Sequence, residues 1–174
     1  MKIGIMGTHC AGKTTLAKAL SRELSLPLVA EVAAKVPKEK RSSIGTQIDI
    51  MFNQVKSELP YAQFVSDRTI YDNWAYYDYW AKNKGSTPIL DANVWNFVDL
   101  YMAKNHYTWV FFVDEYFDPI DNGVRDTDPE QQVYVYDLLK ERYKDMKRCE
   151  MNVKTVRGST DERIGQILGY IGGQ

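Results

Sequence analysis

The stretch that decides the fold is formed by the first fifteen residues, MKIGIMGTHCAGKTT (1–15). The apolar run KIGIM predicts a buried strand, and a helical pattern, LAKALSRELS, follows at 16–25. Between them, residues 7–14 satisfy G-x-x-x-x-G-K-[ST] at every position, directly after the strand and at the start of the helix. This context predicts a loop whose inward-facing backbone N–H groups and following helix N-terminus bind phosphate.

The residues of this loop have distinct predicted roles. Lys13 places a compact cation at the β- and γ-phosphates of a nucleotide, and the Thr14 hydroxyl is a ligand for Mg²⁺, so ATP and Mg²⁺ are the expected cofactors. Cys10 could carry a reactive thiol, although a small loop-filling side chain is the simpler interpretation. His9 is expected to shape the loop or face solvent, without a role in the chemistry. The predicted ATP-binding residues are Gly7, Thr8, His9, Cys10, Ala11, Gly12, Lys13, Thr14, Thr15 and Arg163.

Length and composition set limits on the class of protein. A chain of 174 residues is expected to form a single domain, 1–174, with a sizeable core. The formal net charge of -1 argues against a protein held on nucleic acid by many phosphate contacts. The N-terminus enters a strand at once and no apolar run is long enough to span a bilayer, so we expect a cytoplasmic protein without membrane contact.

Strand and helix patterns alternate along the whole chain. Short continuous apolar runs predict strands covered on both faces, and the order predicts an α/β fold with three layers and a parallel five-stranded sheet. Its binding crevice should lie at the carboxyl ends of the strands. The predicted strands are 2–6, 27–30, 63–67, 108–114 and 152–156, and the predicted helices are 14–25, 45–58, 69–83, 91–105, 130–147 and 160–171.

Two carboxylates fall at the ends of predicted strands. Asp67 ends the third strand, where it can hold Mg²⁺ or accept a proton from an attacking hydroxyl, and Arg68 follows at the mouth of the crevice. A strand-end turn with a surface ion pair is the alternative. Glu31 ends the second strand and should project into the same crevice, unless it caps the next helix. The sequence leaves open which carboxylate is the general base.

A polar, glycine-containing segment at about 116–130 has the character of a lid. Its Arg125 can approach a transferring phosphoryl group and neutralise charge that develops in the transition state. Local pairing of Arg125 with Asp121 or Asp126 is the alternative. The predicted catalytic residues are therefore Lys13, Arg125, Asp67 and Glu31, and the predicted metal ligands are Thr14 and Asp67.

The acceptor site is less well defined. Gln54 lies on a predicted helix, and Tyr71 and Asp72 begin an aromatic-rich helix whose rings either build core or meet the substrate. Arg163, after the fifth strand, either lies near an adenine or belongs to a simple helix cap. The predicted substrate-binding residues are Glu31, Gln54, Arg68, Tyr71 and Asp72.

Together, these motifs resemble the P-loop small-molecule kinases, and most closely the ATPase/kinase group with the ribosylnicotinamide kinase domain of bifunctional NAD-biosynthesis regulators. The resemblance covers nearly the whole chain and includes 121–125 (DNGVR), which is similar to the D-D-G-[LV]-R lid of that domain. It implies that the lysine and the lid arginine act on the transferred phosphoryl, and that Glu31 and Asp67 handle metal and acceptor hydroxyl. The pair Asp67-Arg68 is more similar to thymidylate and deoxynucleoside kinases, and Glu31-Val32-Ala33-Ala34 lacks the arginine of E-[YF]-x-R.

Three functions are compatible with this sequence. The first is an ATP- and Mg²⁺-dependent kinase of a nucleoside, a nucleotide or a related small molecule, acting as a monomer or homodimer. The second is a kinase whose acceptor lies within or at the end of DNA or RNA, contacted by the aromatic stretch 71–80 and by Lys35, Lys38, Lys40 and Arg41. The third is a regulatory nucleotide switch or ATPase, against which the chain shows no guanine-reading N-K-x-D.

Overall fold

The computed structural model describes residues 1–105, 107–118 and 128–173. These residues form five β-strands and six α-helices, with two short 3₁₀ turns between β2 and α2. In chain order the elements are β1 (Lys2–Met6), α1 (Lys13–Glu23), β2 (Leu28–Val29), α2 (Ile44–Glu58), β3 (Phe64–Asp67), α3 (Ile70–Lys84), α4 (Pro88–Asn105), β4 (Trp109–Val113), α5 (Pro129–Arg148), β5 (Val153–Val156) and α6 (Thr160–Gly172).

The strands form one parallel sheet in the order β2-β3-β1-β4-β5. Ile5 of β1 pairs with Asp67, the last residue of β3, so the carboxyl ends of these two central strands lie side by side. The chain leaves β1 for α1 and leaves β3 for α3 at this edge of the sheet. The expected crevice position therefore agrees with the observed topology.

Helices cover both faces of the sheet, which explains why the strands are continuously apolar. Successive strand residues point to opposite faces. In β4, Trp109, Phe111 and Val113 pack in a core with α1 and α6, whereas Val110 and Phe112 pack in a second core with α2, α3, α4 and α5. The predicted three-layer α/β fold with five parallel strands is confirmed.

The main difference from the predicted elements lies before α4. Residues 84–90 were expected to be an irregular segment, but α4 begins at Pro88 and not at residue 91. Thr87 explains the earlier start, because its hydroxyl accepts a hydrogen bond from Leu90 N–H at 3.3 Å and Pro88 has the fixed φ that suits a first helical position. Of the predicted lid 116–130, residues 119–127 lie outside the described residues, and Arg125 with them.

In the part of the chain that the structure describes, no helix is both long enough and apolar enough to cross a bilayer.

Candidate functional site

The loop between β1 and α1 has the backbone conformation of an anion cradle. Gly12 is the N-cap of α1 with φ 79°, a left-handed conformation that favours glycine, and no side chain caps the helix at this end. A Cβ at Gly12 would also lie 3.1 Å from Nη1 of Arg163. Cys10 has φ 58°, which is uncommon for a non-glycine residue. The first N–H groups of α1 therefore remain without a side-chain acceptor at the mouth of the cleft.

Asp72 fixes the start of this loop. Its Oδ1 accepts a hydrogen bond from Gly7 N–H at 3.0 Å, while Oδ2 accepts from the N–H and hydroxyl of Thr69 at 2.8 and 2.7 Å. The Thr69 hydroxyl in turn accepts from Asp72 N–H, so the pair forms the capping box of α3. One buried carboxylate thus joins the phosphate loop to the helix that follows β3. Asp72 was predicted to bind substrate, and the structure instead places it beneath the loop, fully buried.

The middle of the loop is held by α5, a connection that the sequence analysis missed. Gln132 Nε2 donates to the carbonyl oxygens of His9 at 3.0 Å and of Phe117 at 2.9 Å. The Thr8 hydroxyl donates to the carbonyl oxygen of Gln132 at 3.0 Å, and Phe117 N–H donates to the carbonyl oxygen of Cys10 at 3.1 Å. The loop is therefore bonded to Phe117, near the start of the predicted lid, and to Gln132, just after its end. No sequence motif marks Gln132.

Arg163 supports the far end of the loop. It is 3% exposed, and its Nη1 donates to the carbonyl oxygen of Ala11 at 2.8 Å while Nη2 contacts Glu115 at 3.1 Å. It does not line the cleft. The structure thus places Arg163, predicted to bind ATP, in a contact that supports the loop from α6.

Lys13 is the only loop residue with a charged side chain. It is 5% exposed, and its ammonium group donates to the carbonyl oxygen of Thr8 at 2.5 Å, so the side chain folds back over the loop. Burial and then the charge of Arg68 lower the pKa of Lys13 to about 8. An anion beside Lys13 would stabilise its buried charged form. This is the environment expected for a phosphate-binding lysine.

Asp67 and Thr14 meet at the carboxyl end of β3. Burial raises the pKa of Asp67 against the opposing effects of the Lys13 charge and of its interaction with the Thr14 side chain. Its Oδ1 is buried and has no hydrogen-bond partner among the described residues. A hydroxyl and an unsatisfied carboxylate oxygen are hard ligands of the kind Mg²⁺ takes together with phosphate oxygens and water. These two residues fit the metal that the loop motif implies.

Glu31 and Arg68 form a tight pair across the cleft. Arg68 Nε donates to Glu31 Oε1 at 2.7 Å. Burial disfavours the charged form of Glu31, but the charges of Arg68 and Lys13 outweigh it and lower the pKa of this carboxyl. Arg68 itself has φ 104°, a strained conformation for a non-glycine residue that costs about 1–3 kcal/mol. Such strain is typical of functional sites.

Residues 9–15, Glu31 and Arg68 line one cleft of about 800 Å³, which includes open solvent at its mouth. The phosphate loop and Lys13 form one part of its wall. The rest of the wall carries carboxylate, guanidinium and amide groups beside apolar surface, so the cleft extends well beyond the phosphate loop. The remaining lining residues are Ala33, Arg41, Gln47, Ile50, Asn73 and Tyr76.

Besides Asp72, two predicted substrate-binding residues do not line this cleft. Gln54 is fully buried, and its Nε2 donates to Glu58 Oε1 at 2.7 Å and to Ser66 Oγ at 2.9 Å. Tyr71 packs against Trp95, with ring centres 6.3 Å apart, and lines a separate groove. Both are corrections to their predicted placement: Gln54 lies two turns beyond the cleft along the same face of α2, beside Glu58 and Ser66, whereas Tyr71 projects from another face of α3 than Asn73 and Tyr76.

The structure instead brings other side chains of α2 and α3 to the cleft. Gln47 lies about two turns before Gln54 on α2, and Asn73 and Tyr76 lie one turn apart on α3. The sequence signal that could have identified Asn73 and Tyr76 is their i, i+3 spacing on the helix that follows Arg68. Arg41 was expected on a nucleic-acid-binding surface, but its guanidinium donates to the carbonyl oxygen of Val36 at 2.8 Å and lines the cleft.

Fold and loop together define a P-loop protein. The chain belongs to the family described as "AAA domain", whose sequence profile matches residues 2–163. No curated protein is similar enough in sequence to match the chain. The family match agrees with the P-loop resemblance noted in the sequence, and the solved structures that follow share the fold of P-loop kinases.

Solved kinase structures share the fold over the whole chain at low sequence identity. A deoxyadenosine kinase from M. mycoides, with products dCMP and dCDP bound, is 17% identical with a TM-score of 0.75, and the match covers 100% of both chains. The NadR protein in complex with NAD and AMP-PNP is 14% identical with a TM-score of 0.62, and the match covers 98% of this chain but 49% of that one. Thymidylate kinase from Ehrlichia chaffeensis is 18% identical with a TM-score of 0.55, over 99% and 96% of the two chains.

Proposed function

We propose that this protein is an ATP- and Mg²⁺-dependent phosphotransferase that moves the γ-phosphoryl of ATP to a nucleoside, a nucleotide or a related small molecule. The observation that carries this proposal is the single cleft in which a phosphate loop and a polar acceptor wall face one another. An ATPase switch needs only the first of these. The nucleoside and nucleotide kinases with the same fold support the choice of acceptor class.

The side chains divide the chemistry between them. Lys13 stabilises negative charge on the phosphate chain, with the N–H groups at the start of α1. Thr14 and Asp67 would hold Mg²⁺, which when bound neutralises charge on the phosphates. Glu31 lines the cleft and is favoured in its ionised form. We therefore infer that Glu31, and not Asp67, accepts the proton of the acceptor hydroxyl, while Arg68 orients the Glu31 carboxylate.

The direct test is a coupled assay of ADP formation against a panel of nucleosides, nucleoside monophosphates and short oligonucleotides. The expected result is ADP formation that depends on one small-molecule acceptor and on Mg²⁺. ATP hydrolysis unaffected by any acceptor would reject the kinase and favour an ATPase. Turnover stimulated by oligonucleotides alone would favour the nucleic-acid alternative.

A second experiment assigns the proton acceptor. Glu31→Gln keeps the shape and hydrogen-bonding capacity of the side chain but removes its basicity, so kcat should fall about 100-fold or more with little change in the KM for ATP. Glu23→Gln, on the exposed end of α1, is the matched control. Unchanged kcat in Glu31→Gln would exclude this carboxylate as the base. Four further expectations stay predictions from the sequence. They are the role of Arg125 as a cis transition-state arginine, the single domain 1–174, the cytoplasmic location and the monomeric or homodimeric state.

A further inference from the structure

His9 has hydrogen bonds that select one form of its imidazole ring. The hydroxyl oxygen of Tyr76 accepts a hydrogen bond from the backbone N–H of His9 at 3.0 Å, and it lies 3.0 Å from His9 Nδ1. The Arg68 guanidinium lies over the Tyr76 ring, 4.9 Å from its centre. Among the described residues, His9 Nδ1 is the one acceptor within hydrogen-bond distance of the Tyr76 hydroxyl.

This arrangement decides where the imidazole proton is. A tyrosine hydroxyl has one proton to donate, and the backbone N–H of His9 can only donate to it. A protonated Nδ1 directed at the same oxygen would leave the hydroxyl proton of Tyr76 without an acceptor among the described residues. The Tyr76 hydroxyl consequently donates to Nδ1 of His9, which must be unprotonated, and the proton of the neutral imidazole is on Nε2.

The Nε2–H group that results is buried and has no hydrogen-bond partner among the described residues. His9 is 6% exposed and lines the cleft. Burial and the nearby charges of Arg68 and Lys13 lower the pKa of His9 to about 4, in spite of the opposing effect of Asp128 and Glu31, so the ring is neutral near pH 7. A buried donor of this kind costs about 1–3 kcal/mol unless a ligand satisfies it.

The same cleft contains two other unsatisfied donors. Arg68 Nη1 and Asn73 Nδ2 are buried and without a hydrogen-bond partner in the described part of the chain, and both residues line the cleft. Asn73 lies one turn before Tyr76 on α3, so His9, Arg68 and Asn73 surround that tyrosine. A group that satisfies several donors beside two cations must be rich in acceptor oxygens and negatively charged. A phosphoryl group has both properties.

We propose that His9 is a phosphoryl-binding residue whose Nε2–H, fixed in place by the Tyr76 hydroxyl, donates a hydrogen bond to a phosphoryl oxygen held in the cleft. Tyr76 is the positioning residue of this pair. The proposal rests on the proposed function to the extent that phosphates occupy the cleft. The oxygen belongs either to the triphosphate of the donor nucleotide or to the phosphate of a nucleoside monophosphate acceptor.

The tautomer can be measured directly, because the chain contains only two histidines. Ring ¹⁵N spectra of the wild-type protein at pH 7, assigned by comparison with His9→Gln, should show a protonated Nε2 and an unprotonated Nδ1 for His9. In Tyr76→Phe this selection should be lost. A wild-type His9 protonated on Nδ1 would overturn the proposal.

Binding is tested with two variants that differ in the position of their donor. The amide nitrogen of His9→Gln can occupy the place of Nε2, whereas His9→Asn matches Nδ1 and has no donor at the outer position. Titration calorimetry with a Mg²⁺-loaded non-hydrolysable ATP analogue, and separately with a nucleoside monophosphate, should show one ligand bound about 10-fold more weakly by His9→Asn and within about 3-fold of wild type by His9→Gln. That ligand is the source of the phosphoryl oxygen.

Equal affinities of the two variants for both ligands would overturn the proposal. Should His9→Asn fail to fold, the wild-type protein still decides: the Nε2–H resonance must shift when one of the two ligands is added, and an unshifted resonance with both ligands rejects the role. Failure of the proposed function is separate, because it would appear as absent phosphoryl transfer to every acceptor while the tautomer and the binding difference remain measurable.

Discussion

Ser66 and Asp67 are consecutive residues of β3, and their side chains enter two buried polar clusters of opposite character. Ser66 joins the cluster around Glu58, whose Oε1 accepts from Gln54, Ser66 and Tyr107 at 2.7–2.9 Å and whose Oε2 accepts from Tyr101 at 2.6 Å. Both carboxylate oxygens are satisfied by the protein itself. Gln54 Oε1 is the unpaired atom of this cluster within the described residues.

The cleft cluster is incomplete by the same criterion. His9 Nε2, Asp67 Oδ1, Arg68 Nη1 and Asn73 Nδ2 are buried without a hydrogen-bond partner among the described residues. The fold retains these unsatisfied groups at a cost in stability, whereas the Glu58 cluster is closed by its own donors. The comparison teaches that saturation of hydrogen bonds, and not burial, separates a structural carboxylate from one available to a ligand. Substitutions in the Glu58 cluster should therefore lower the free energy of unfolding, whereas substitutions in the cleft cluster should lower kcat.

The largest expected effect is on turnover in Lys13→Ala. Removal of the buried ammonium group should lower kcat by about 10³-fold or more, because charge on the transferring phosphoryl loses its main side-chain partner. Thermal unfolding should show an intact fold. Lys18→Ala, an exposed lysine one turn and a half further along α1, is the control and should keep full activity. Comparable activity of Lys13→Ala and Lys18→Ala would show that the Lys13 ammonium group has no role in phosphoryl transfer.

Glu58→Gln should break the saturated cluster without touching the cleft. The amide NH₂ replaces an acceptor oxygen and faces groups that now donate to Glu58, so hydrogen bonds are lost or hydroxyl protons must reorient, and the free energy of unfolding should fall by about 3 kcal/mol in urea titrations. The kcat of the folded variant should stay within about 2-fold of wild type. A large loss of kcat with unchanged stability would reverse the assignment of the two clusters.

Asp67→Asn should give the opposite result. It removes a buried charge whose Oδ1 is unpaired, so stability should be unchanged or higher, while kcat falls about 100-fold through loss of the Mg²⁺ ligand. A higher Mg²⁺ concentration should recover part of the activity. Asp49→Asn, on the exposed side of α2, controls for the change of charge. Loss of stability without loss of activity would make Asp67 a structural residue like Glu58.

A smaller effect concerns the pH dependence of stability in the absence of nucleotide. The pKa of Lys13 is about 8 in the folded protein and 10.5 in its ordinary state, so between these values the unfolded chain binds more protons. Stability must then rise with pH through this window, since the folded state no longer has to hold a buried cation. The stability advantage of Lys13→Met over wild type should shrink by about 2 kcal/mol between pH 8 and pH 10. A constant difference would show an unperturbed lysine.

The features of the candidate site that could be predicted from the sequence are those that depend on neighbouring residues or on strand ends. Gly12, Lys13 and Thr14 were recognisable because the phosphate loop is contiguous and its spacing is set by backbone geometry. Glu31 and Asp67 were recognisable because the ends of parallel strands meet at one edge of the sheet. Arg163 and Asp72 were predicted to contact ligands. In the structure, the Arg163 guanidinium donates to Ala11, and the Asp72 carboxylate accepts from Gly7 and Thr69. A sequence does not show which polar group is already satisfied.

The amino-acid sequence by itself determined the layered α/β fold, the order of its elements and the phosphate loop, because apolar periodicity and glycine conformation act over a few residues. Only the tertiary structure decided that α2 presents Gln47 and not Gln54 to the cleft, that Gln132 of α5 holds the loop, and that Tyr76 selects the proton position of His9. Each of these depends on contacts between residues far apart in the chain, because the placement of each helix against the sheet and the saturation of its hydrogen bonds are set by packing.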